Sequence, residues 1–235
     1  MKKEYPIIIA LSAKKSGGKG ESCKFLTKYF ESKGKSVQVF SFAGPLKKLC
    51  VELLGLSSEQ VYGSEEEKNS LTKYSWENLP HYPIIVSEFM KLERVDAPKG
   101  LMTARQILQE VGTGIFRRMY ANIWNEVLLR NIKQWDGDIA LVDDMRFLDE
   151  FKAVSDVGAI TIRLTRNIKG KEKVNVILDK NRVLYVSLDG DNHVSETSLD
   201  SPKFDWNLFD IIIDNQDMDI ETQNKYLEHA IENRI

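Results

Sequence analysis

The sequence predicts an α/β fold of three layers, with about five mostly parallel strands in one sheet and helices on both faces. Short apolar runs of strand length alternate with longer segments of helical spacing, which is typical of such sheets. The first run, YPIIIALS at 5–12, is almost entirely apolar, as expected for a strand buried on both faces. The chain has 235 residues and is 42% hydrophobic, enough for one sizeable core, so we expect a single domain.

The other core elements follow from the same patterns. The segment 20–34 places apolar residues at helical spacing and stops at Gly34. The segment 103–135 carries two helical patterns, which we expect to be broken near Gly112 and Gly114, and 217–234 predicts a closing amphipathic helix. Four further strands are predicted: SVQVFSFA at 36–43, DIALVDD at 138–144, AITIRLTR at 159–166 and DIIIDN at 210–215.

Two segments do not fit this core and are interpreted as insertions. Residues 56–100 are rich in Ser, Glu, Lys and Pro and keep no firm apolar period, which favours a mobile subdomain or a long excursion. Residues 167–200 resemble a two-stranded hairpin followed by a turn that could open a short helix. The predicted core is therefore 1–55, 101–166 and 201–235.

Composition narrows the function classes. The formal net charge is −2, so no global field attracts the protein to nucleic acid or an anionic membrane. Cys23 and Cys50 are too few for a disulfide framework, which fits a reducing cytosol. Glu4 and Pro6 interrupt the short N-terminal apolar run, and no other run is long enough to span a bilayer, so we expect a soluble cytoplasmic protein.

The stretch LSAKKSGGKGES at 11–22 approximates a Walker A phosphate-binding loop. It departs from the pattern at its first position, Ala13, and at its last, Gly20. A phosphate cradle needs glycines whose amides can face the anion, a helix N-terminus and a lysine, and Gly17, Gly18 and Lys19 supply these features. The alternative is a solvated basic turn, but the position after a buried strand favours the phosphate loop.

The magnesium ligands are left unknown by this pattern. Gly20 lacks the hydroxyl that normally holds Mg²⁺ in such loops. Glu21, Ser22 or a water molecule are the alternatives at this point. The three histidines are scattered and suggest no metal cluster.

Four further positions have side chains suited to an anionic substrate. Lys47 follows the Gly44–Pro45 turn on the first turn of a predicted helix. Arg105 and Gln109 are four positions apart and share one helix face. Taken alone, each of these features is more often a solvated surface. Arg166 comes just past the fourth strand, where it could reach transferring phosphates or stack on a nucleobase.

The segment IALVDDMRFLDE at 139–150 is an apolar strand that ends in two acids and an arginine. Ligands of open α/β sheets bind beyond the carboxyl ends of the strands, so Asp143, Asp144 and Arg146 should face the same crevice as Lys19. A carboxylate there could hold a magnesium water or the incoming nucleophile, and the arginine could neutralise phosphate. The structural alternative is an ion pair at a strand end.

In their order and spacing, these motifs resemble the phage-type deoxynucleoside monophosphate kinases, a branch of the P-loop nucleoside monophosphate kinases. The resemblance covers nearly the whole chain through AKKSGGKGES, FAGPLK, RQILQEVGT with IW beyond it, DDMRFLDE, GAITIRLTR, HVSET and IIIDN. It implies a P-loop kinase fold in which 56–100 lies on the monophosphate side and 167–200 forms the lid. His193 and Glu196 would belong to the return of that lid.

The resemblance also implies the roles of site residues. Lys19, Arg105, Asp144, Arg146 and Arg166 are the expected catalytic residues. The expected ATP-binding positions are Ala13, Lys15, Ser16, Gly17, Gly18, Lys19, Gly20, Glu21 and Arg166. The expected deoxynucleotide-binding positions are Ala43, Pro45, Lys47, Arg105, Gln109, Thr113, Trp124, Asp144, Arg146 and Glu150.

The activity implied is transfer of the ATP γ-phosphoryl group, with Mg²⁺, to a deoxynucleoside monophosphate, giving a diphosphate and ADP. The partners would be these small molecules, with no nucleic acid or membrane, and a homodimer is one option for the assembly. A phage-encoded protein would work in the host cytoplasm. The alternatives are a kinase for dephospho-coenzyme A or phosphomevalonate, a P-loop ATPase or switch protein, and a non-enzymatic binding module.

Overall fold

The structure is a computed structural model that describes residues 4–14, 17–91, 97–165, 199, 204–216 and 218–235. It contains two compact units, which we call the sheet unit (Met1–Phe42 with Trp124–Ile235) and the helical unit (Ala43–Ile123). In chain order, the elements are β1 (Ile7–Ser12), α1 (Lys19–Ser32), β2 (Val37–Phe40), α2 (Gly44–Leu54), α3 (Ser58–Tyr62), α4 (Glu65–Lys68), β3 (Leu71–Ser75), α5 (Tyr82–Lys91), β4 (Leu101–Thr103), α6 (Ala104–Gln109), a π-helix (Glu110–Arg117), α7 (Ile123–Gln134), β5 (Ile139–Val142), α8 (Leu148–Asp156), β6 (Ile160–Thr165), β7 (Ile211–Asp214) and α9 (Ile220–Glu232).

The sheet unit is built on a five-stranded sheet in the order β2-β5-β1-β6-β7. Every neighbouring pair of strands is parallel. The prediction of an α/β fold with a five-stranded parallel sheet is confirmed, and the arrangement is consistent with a P-loop kinase fold. Each of the five predicted strands forms one of these strands.

The central strand β1 is buried on both faces, which explains its continuous apolar sequence. Ile8 and Ala10 pack with residues of α7 and α8 on one face of the sheet. Ile9 and Leu11 pack with residues of α1 and α9 on the other face. Because successive strand residues alternate between faces, this single run supplies both hydrophobic clusters and gives the unit three layers.

The helical unit contains α2 to α6, the π-helix and a two-stranded antiparallel sheet of β3 and β4. Within it, the segment 56–100 forms α3, α4, β3 and α5. The first two of these helices have only five and four residues, so they are too short to display a period in the sequence. Capping boxes at Ser57 and Ser64 define where the two helices begin.

The predicted helix break near Gly112 and Gly114 is wrong. The helix instead continues from α6 into the π-helix without interruption. A Cβ atom on Gly112 would lie 2.6 Å from a methyl carbon of Leu46 in α2. The glycine therefore permits close packing of two helices, and it does not end the helix.

The predicted insertion at 167–200 lies outside the described residues, apart from Leu199, which is buried. The division of the chain into core and insertions stays a prediction. Among the described residues, no helix combines the length and the apolar character that a bilayer crossing requires.

The two thiols are expected to be unreactive in the folded protein. Burial, reinforced by the charge of Asp143, raises the pKa of Cys23 to about 12, and burial raises the pKa of Cys50 to about 11. Because the thiolate is the reactive form, Ellman's reagent at pH 8 should label neither cysteine rapidly in native protein and both after denaturation. Rapid labelling of native protein, with an unchanged circular dichroism spectrum, would contradict this.

The same shifts set the direction of the pH dependence. The folded state holds both thiols protonated, so their contribution to the free energy of unfolding is complete below the ordinary thiol pKa of 9.0 and is lost as the pH rises through 11 to 12. Alanine variants of each cysteine should lessen this alkaline loss in urea titrations.

Candidate active site

The carboxyl ends of the five parallel strands lie along one edge of the sheet. The loop 13–18 follows β1 at this edge, and the loop 143–147 follows β5. Ala10 is paired with Val142, so the two loops leave adjacent strands at nearly the same level. The parallel register therefore brings together two of the motifs that the sequence identified.

The glycine loop turns tightly before α1. The N–H of Gly17 donates to the carbonyl of Lys14 at 3.0 Å, and Gly18 has a left-handed φ of 87° directly before the helix. A Cβ atom on Gly17 would lie 2.8 Å from Cβ of Ala13 and 3.0 Å from the Lys14 carbonyl oxygen. Small residues are thus required at both ends of the turn. The predicted ATP-binding residues Lys15 and Ser16 lie outside the described residues.

Lys19 is the first residue of α1, and its side chain folds back over the loop that precedes it. Its ammonium donates to the carbonyl of Ala13 and, at 3.3 Å, to the carbonyl of Lys14. The loop, the helix N-terminus and the ammonium therefore share one small region. These are the donors and the positive charge that a polyphosphate requires.

The three residues after Lys19 differ in what they offer a metal ion. A Cβ atom on Gly20 would have no neighbour within 4 Å, and the exposed carboxylate of Glu21 lies 2.8 Å from the ammonium of Lys24. The Ser22 side chain is inaccessible and its hydroxyl accepts from Nε2 of Gln223 at 2.7 Å. Ser22 thus faces α9. Over the described part of the chain, no group of three or more potential metal ligands occurs.

The loop after β5 is held by backbone contacts. The N–H of Asp143 donates to the carbonyl of Phe40 at 3.3 Å, and Oδ1 of Asp144 accepts from the N–H of Phe42 at 2.8 Å. The two acids directly follow β5, whose carboxyl end lies beside that of β1 in the parallel register. Both acids therefore lie on the side of the sheet unit where the glycine loop begins.

Glu150 fixes the turn that carries Arg146. Glu150 is only 3% exposed, and its carboxylate accepts from the N–H groups of Arg146, at 2.8 Å, and Phe147, at 3.0 Å. Carboxylates at helix N-termini satisfy amides that have no partner within the helix. This contact gives Glu150 a positioning role toward Arg146, and its direct contact with a substrate stays a prediction.

The predicted deoxynucleotide-binding residues of the helical unit lie on α2, α6 and the π-helix. Arg105 donates from Nη2 to Oε2 of Glu65 at 2.8 Å and from Nε to Oδ1 of Asn69 at 3.2 Å. The Lys47 ammonium lies 5.2 Å from the ring centroid of Tyr62. The remaining predicted positions here are Ala43 before α2, Pro45 in its first turn, Gln109 at the end of α6 and the exposed Thr113 in the π-helix.

Two predicted positions have a different status. Trp124 is buried at the start of α7 in the sheet unit, which agrees with a packing role, and its contact with a substrate stays a prediction. Arg166 lies outside the described residues, as do His193 and Glu196.

Three buried polar residues next to the glycine loop were not predicted from the sequence. Arg163 on β6 is 4% exposed, donates to the Ser12 hydroxyl at 2.8 Å and lies 4.9 Å from the ring centroid of Trp206. Asn215, directly after β7, donates from Nδ2 to the Gly17 carbonyl at 3.2 Å, and Gln223 on α9 accepts from the same amide. The motif IIIDN was a possible signal for Asn215, but its partner lies 198 positions away.

Comparison with known proteins finds one similar protein. No family model matches the chain. A protein of Acanthamoeba polyphaga mimivirus named "Putative deoxynucleotide monophosphate kinase" is 27% identical over 172 residues, which cover 68% of this chain and 74% of that protein. This similarity supports a relationship to a kinase-like family.

Gly17 in the loop and Gly20 in the first turn of α1 predict opposite responses to alanine. Gly17→Ala forces a Cβ atom against Ala13, so we expect a loss of about 1–3 kcal/mol in the free energy of unfolding. Gly20→Ala adds a Cβ atom in open space on a helix, so we expect a gain of up to about 1 kcal/mol. Urea titration of both variants tests this, and equal tolerance of the two would contradict the loop geometry.

Proposed function

We propose that the protein is an ATP-dependent deoxynucleoside monophosphate kinase, which transfers the γ-phosphoryl group of ATP to the 5′-phosphate of a deoxynucleoside monophosphate. The observation that carries the proposal is the shared sheet edge. There the glycine loop with Lys19 leaves β1, and the loop with Asp143, Asp144 and Arg146 leaves the adjacent strand β5. Hydrogen-bond donors for phosphate oxygens, the Lys19 cation and two carboxylates are thus available in the sheet unit.

The glycine loop fits the polyphosphate of ATP. Gly17 and Gly18 lie in a tight turn before a helix of 14 residues, and the Lys19 ammonium already contacts two carbonyl oxygens of that turn. Backbone amides and a helix N-terminus favour anions, and a lysine supplies a mobile positive charge. We assign the loop and Lys19 to the phosphates of ATP.

The similarity to the mimivirus protein supports the choice of acceptor. Its name gives deoxynucleotide monophosphates as the substrates of that protein, and the matched region covers about two thirds of this chain. The order of motifs along the sequence points to the same class of acceptor. A phosphorylated acceptor also suits a set of site residues that is rich in cations.

The reaction needs little acid–base chemistry from the protein. A 5′-phosphate oxygen is largely ionised at neutral pH, so it attacks the γ-phosphorus without a general base. The bond from that phosphorus to the β,γ-bridging oxygen breaks, and ADP leaves with the electron pair. Catalysis then reduces to alignment and to neutralisation of charge.

Within the sheet unit, we assign Arg146 to the transferring phosphoryl group. Glu150 holds the backbone of this arginine at a fixed turn, which limits the number of positions that its side chain explores. Asp143 and Asp144 are the carboxylates that would hold Mg²⁺, because this ion usually takes one or two carboxylates and completes its shell with phosphates and water. Bound Mg²⁺ would neutralise charge on the phosphate oxygens.

Within the helical unit, we assign Arg105 to the acceptor phosphate. Its guanidinium is engaged by the Glu65 carboxylate at 2.8 Å, and a phosphate would exchange with that carboxylate. Both side chains are partly exposed, so the ion pair is screened and adds little to stability. Glu65 therefore acts as a competing anion for the site of the acceptor phosphate.

The arginine assignments predict severe losses of turnover. Arginines that stabilise phosphoryl transfer are worth about 10³–10⁵ in rate, so Arg146→Ala and Arg105→Ala should lower kcat/KM by at least about 10³ with an unchanged fold. The exposed Arg130 on α7 offers a matched control, and Arg130→Ala should keep wild-type kinetics. Coupled assays of ADP release with dTMP, dGMP and dCMP measure these effects.

Glu65→Gln tests the same acceptor site, but the expected effect is tighter binding of the acceptor. Removing the competing carboxylate should lower KM for the deoxynucleotide and leave KM for ATP unchanged.

Wild-type kinetics in Arg105→Ala would reject the role of this arginine. Wild-type protein that consumes ATP equally with and without an acceptor would reject the kinase and favour an ATPase.

A further inference from the structure

We propose that Asn215 and Gln223 are positioning residues, which set the direction in which the Gly18 amide of the phosphate loop points. This inference rests on the part of the proposed function that assigns the loop to a polyphosphate. Neither residue is near the loop in sequence. Asn215 follows β7 and Gln223 lies on α9, so the fold alone brings them to the glycines.

The two amide side chains form a continuous chain of hydrogen bonds. Nδ2 of Asn215 donates to the carbonyl of Gly17 at 3.2 Å and to Oε1 of Gln223 at 2.5 Å. Nε2 of Gln223 donates to the hydroxyl of Ser22 at 2.7 Å. Asn215 and Gln223 are each 5% exposed and Ser22 is inaccessible. This series of hydrogen bonds thus joins both ends of the segment Gly17–Ser22 to the protein interior.

The geometry of the peptide bond converts this anchor into an orientation. In a trans peptide, the carbonyl of one residue and the N–H of the next point in opposite directions, and the chain has no cis peptide bond among its described residues. Asn215 holds the Gly17 carbonyl toward its own side-chain amide. The Gly18 N–H must therefore point away from the Asn215 amide.

The backbone of Gly18 packs closely against the same two side chains. A Cβ atom on Gly18 would lie 3.2 Å from Nδ2 of Asn215 and 3.2 Å from Oε1 of Gln223. The left-handed φ of 87° also favours glycine at this position. The amides therefore pack directly against the residue whose N–H they orient.

Hydrogen bonds also hold the backbones of Asn215 and Gln223 in place. The N–H of Asn215 donates to the carbonyl of Thr165 at the end of β6, at 2.9 Å. The N–H of Gln223 donates to the carbonyl of Asp219 at 3.0 Å, in the first turn of α9. A donor aimed at a ligand gains most when it does not have to reorient on binding, so a rigid anchor favours anion binding.

The test uses inorganic tripolyphosphate, ADP and adenosine as probes of the whole 235-residue chain. Loss of one orienting hydrogen bond should weaken binding of tripolyphosphate and ADP to Asn215→Ala and Gln223→Ala by about tenfold, measured by calorimetry. Binding of adenosine, which has no phosphate, should stay unchanged. A role limited to fold stability would not separate these ligands.

A matched control is available at the opposite edge of the sheet. Thr161 is buried, and its hydroxyl donates to Oδ2 of Asp210 at 3.0 Å near the amino ends of β6 and β7. Thr161→Val removes a buried polar group without touching the loop. It should lower the melting temperature and leave tripolyphosphate affinity unchanged.

A second measurement reports on the loop itself. The chain has 14 glycines, so selective ¹⁵N-glycine labelling gives a simple spectrum in which the Gly18 amide can be followed. Tripolyphosphate should shift the Gly18 resonance in the wild type and shift it far less in Asn215→Ala, while the distant glycines keep their positions. This comparison is informative even for a variant of reduced stability.

The outcomes separate this inference from the proposed function. Wild-type tripolyphosphate affinity in Asn215→Ala, or an equal loss of adenosine and ADP affinity, would overturn the positioning role and leave the kinase proposal standing. Wild-type protein that binds neither tripolyphosphate nor ATP would overturn the loop assignment and the inference together.

Discussion

Parallel pairing of β1 with a strand on each side is the constraint on which the rest of the site depends. It occupies both hydrogen-bonding edges of β1, and helices cover both faces, so the chain leaves the sheet at the end of the strand. At that point it must turn into α1, and the turn has room only for small residues at Ala13 and Gly17. The same pairing places the loop with Asp143 and Arg146 on the adjacent strand.

Two of the three cationic side chains assigned to phosphates contact acceptors of the protein, and the third is carried on an anchored turn. Carbonyl oxygens of the loop accept from Lys19, Glu65 accepts from Arg105, and Glu150 accepts from the backbone of Arg146. Such contacts hold a charge in place at little cost until a ligand offers a stronger acceptor. On our account, phosphate oxygens replace the first two, and the third keeps the turn rigid.

Much of the sheet could be predicted because burial leaves a direct trace in sequence. A strand covered on both faces must be apolar throughout, and the run at β1 shows this. The short helices α3 and α4 could not be predicted, since four or five residues carry too little of a helical period. The glycines at 112 and 114 were misinterpreted as chain breaks, because the helix continues through both and Gly112 serves close packing against Leu46.

The candidate site was predictable to the extent that its parts are local. The loop around Lys19 and the acids after β5 could be assigned to one edge from strand order alone. The Arg105–Glu65 pair spans 40 positions and the Asn215–Gly17 contact spans 198, and nothing in a single sequence indicates either pairing. Contacts of this kind are set by tertiary packing, so they emerge only with the fold.

The most direct test of the account is a crystal structure of the protein with Mg²⁺ and a non-hydrolysable ATP analogue. We expect the triphosphate to lie against the loop 13–18 and the N-terminus of α1, the Gly18 N–H to donate to a phosphate oxygen, and the Lys19 ammonium to have left the Ala13 carbonyl for the phosphates. A nucleotide bound elsewhere, with Lys19 still on that carbonyl, would contradict it.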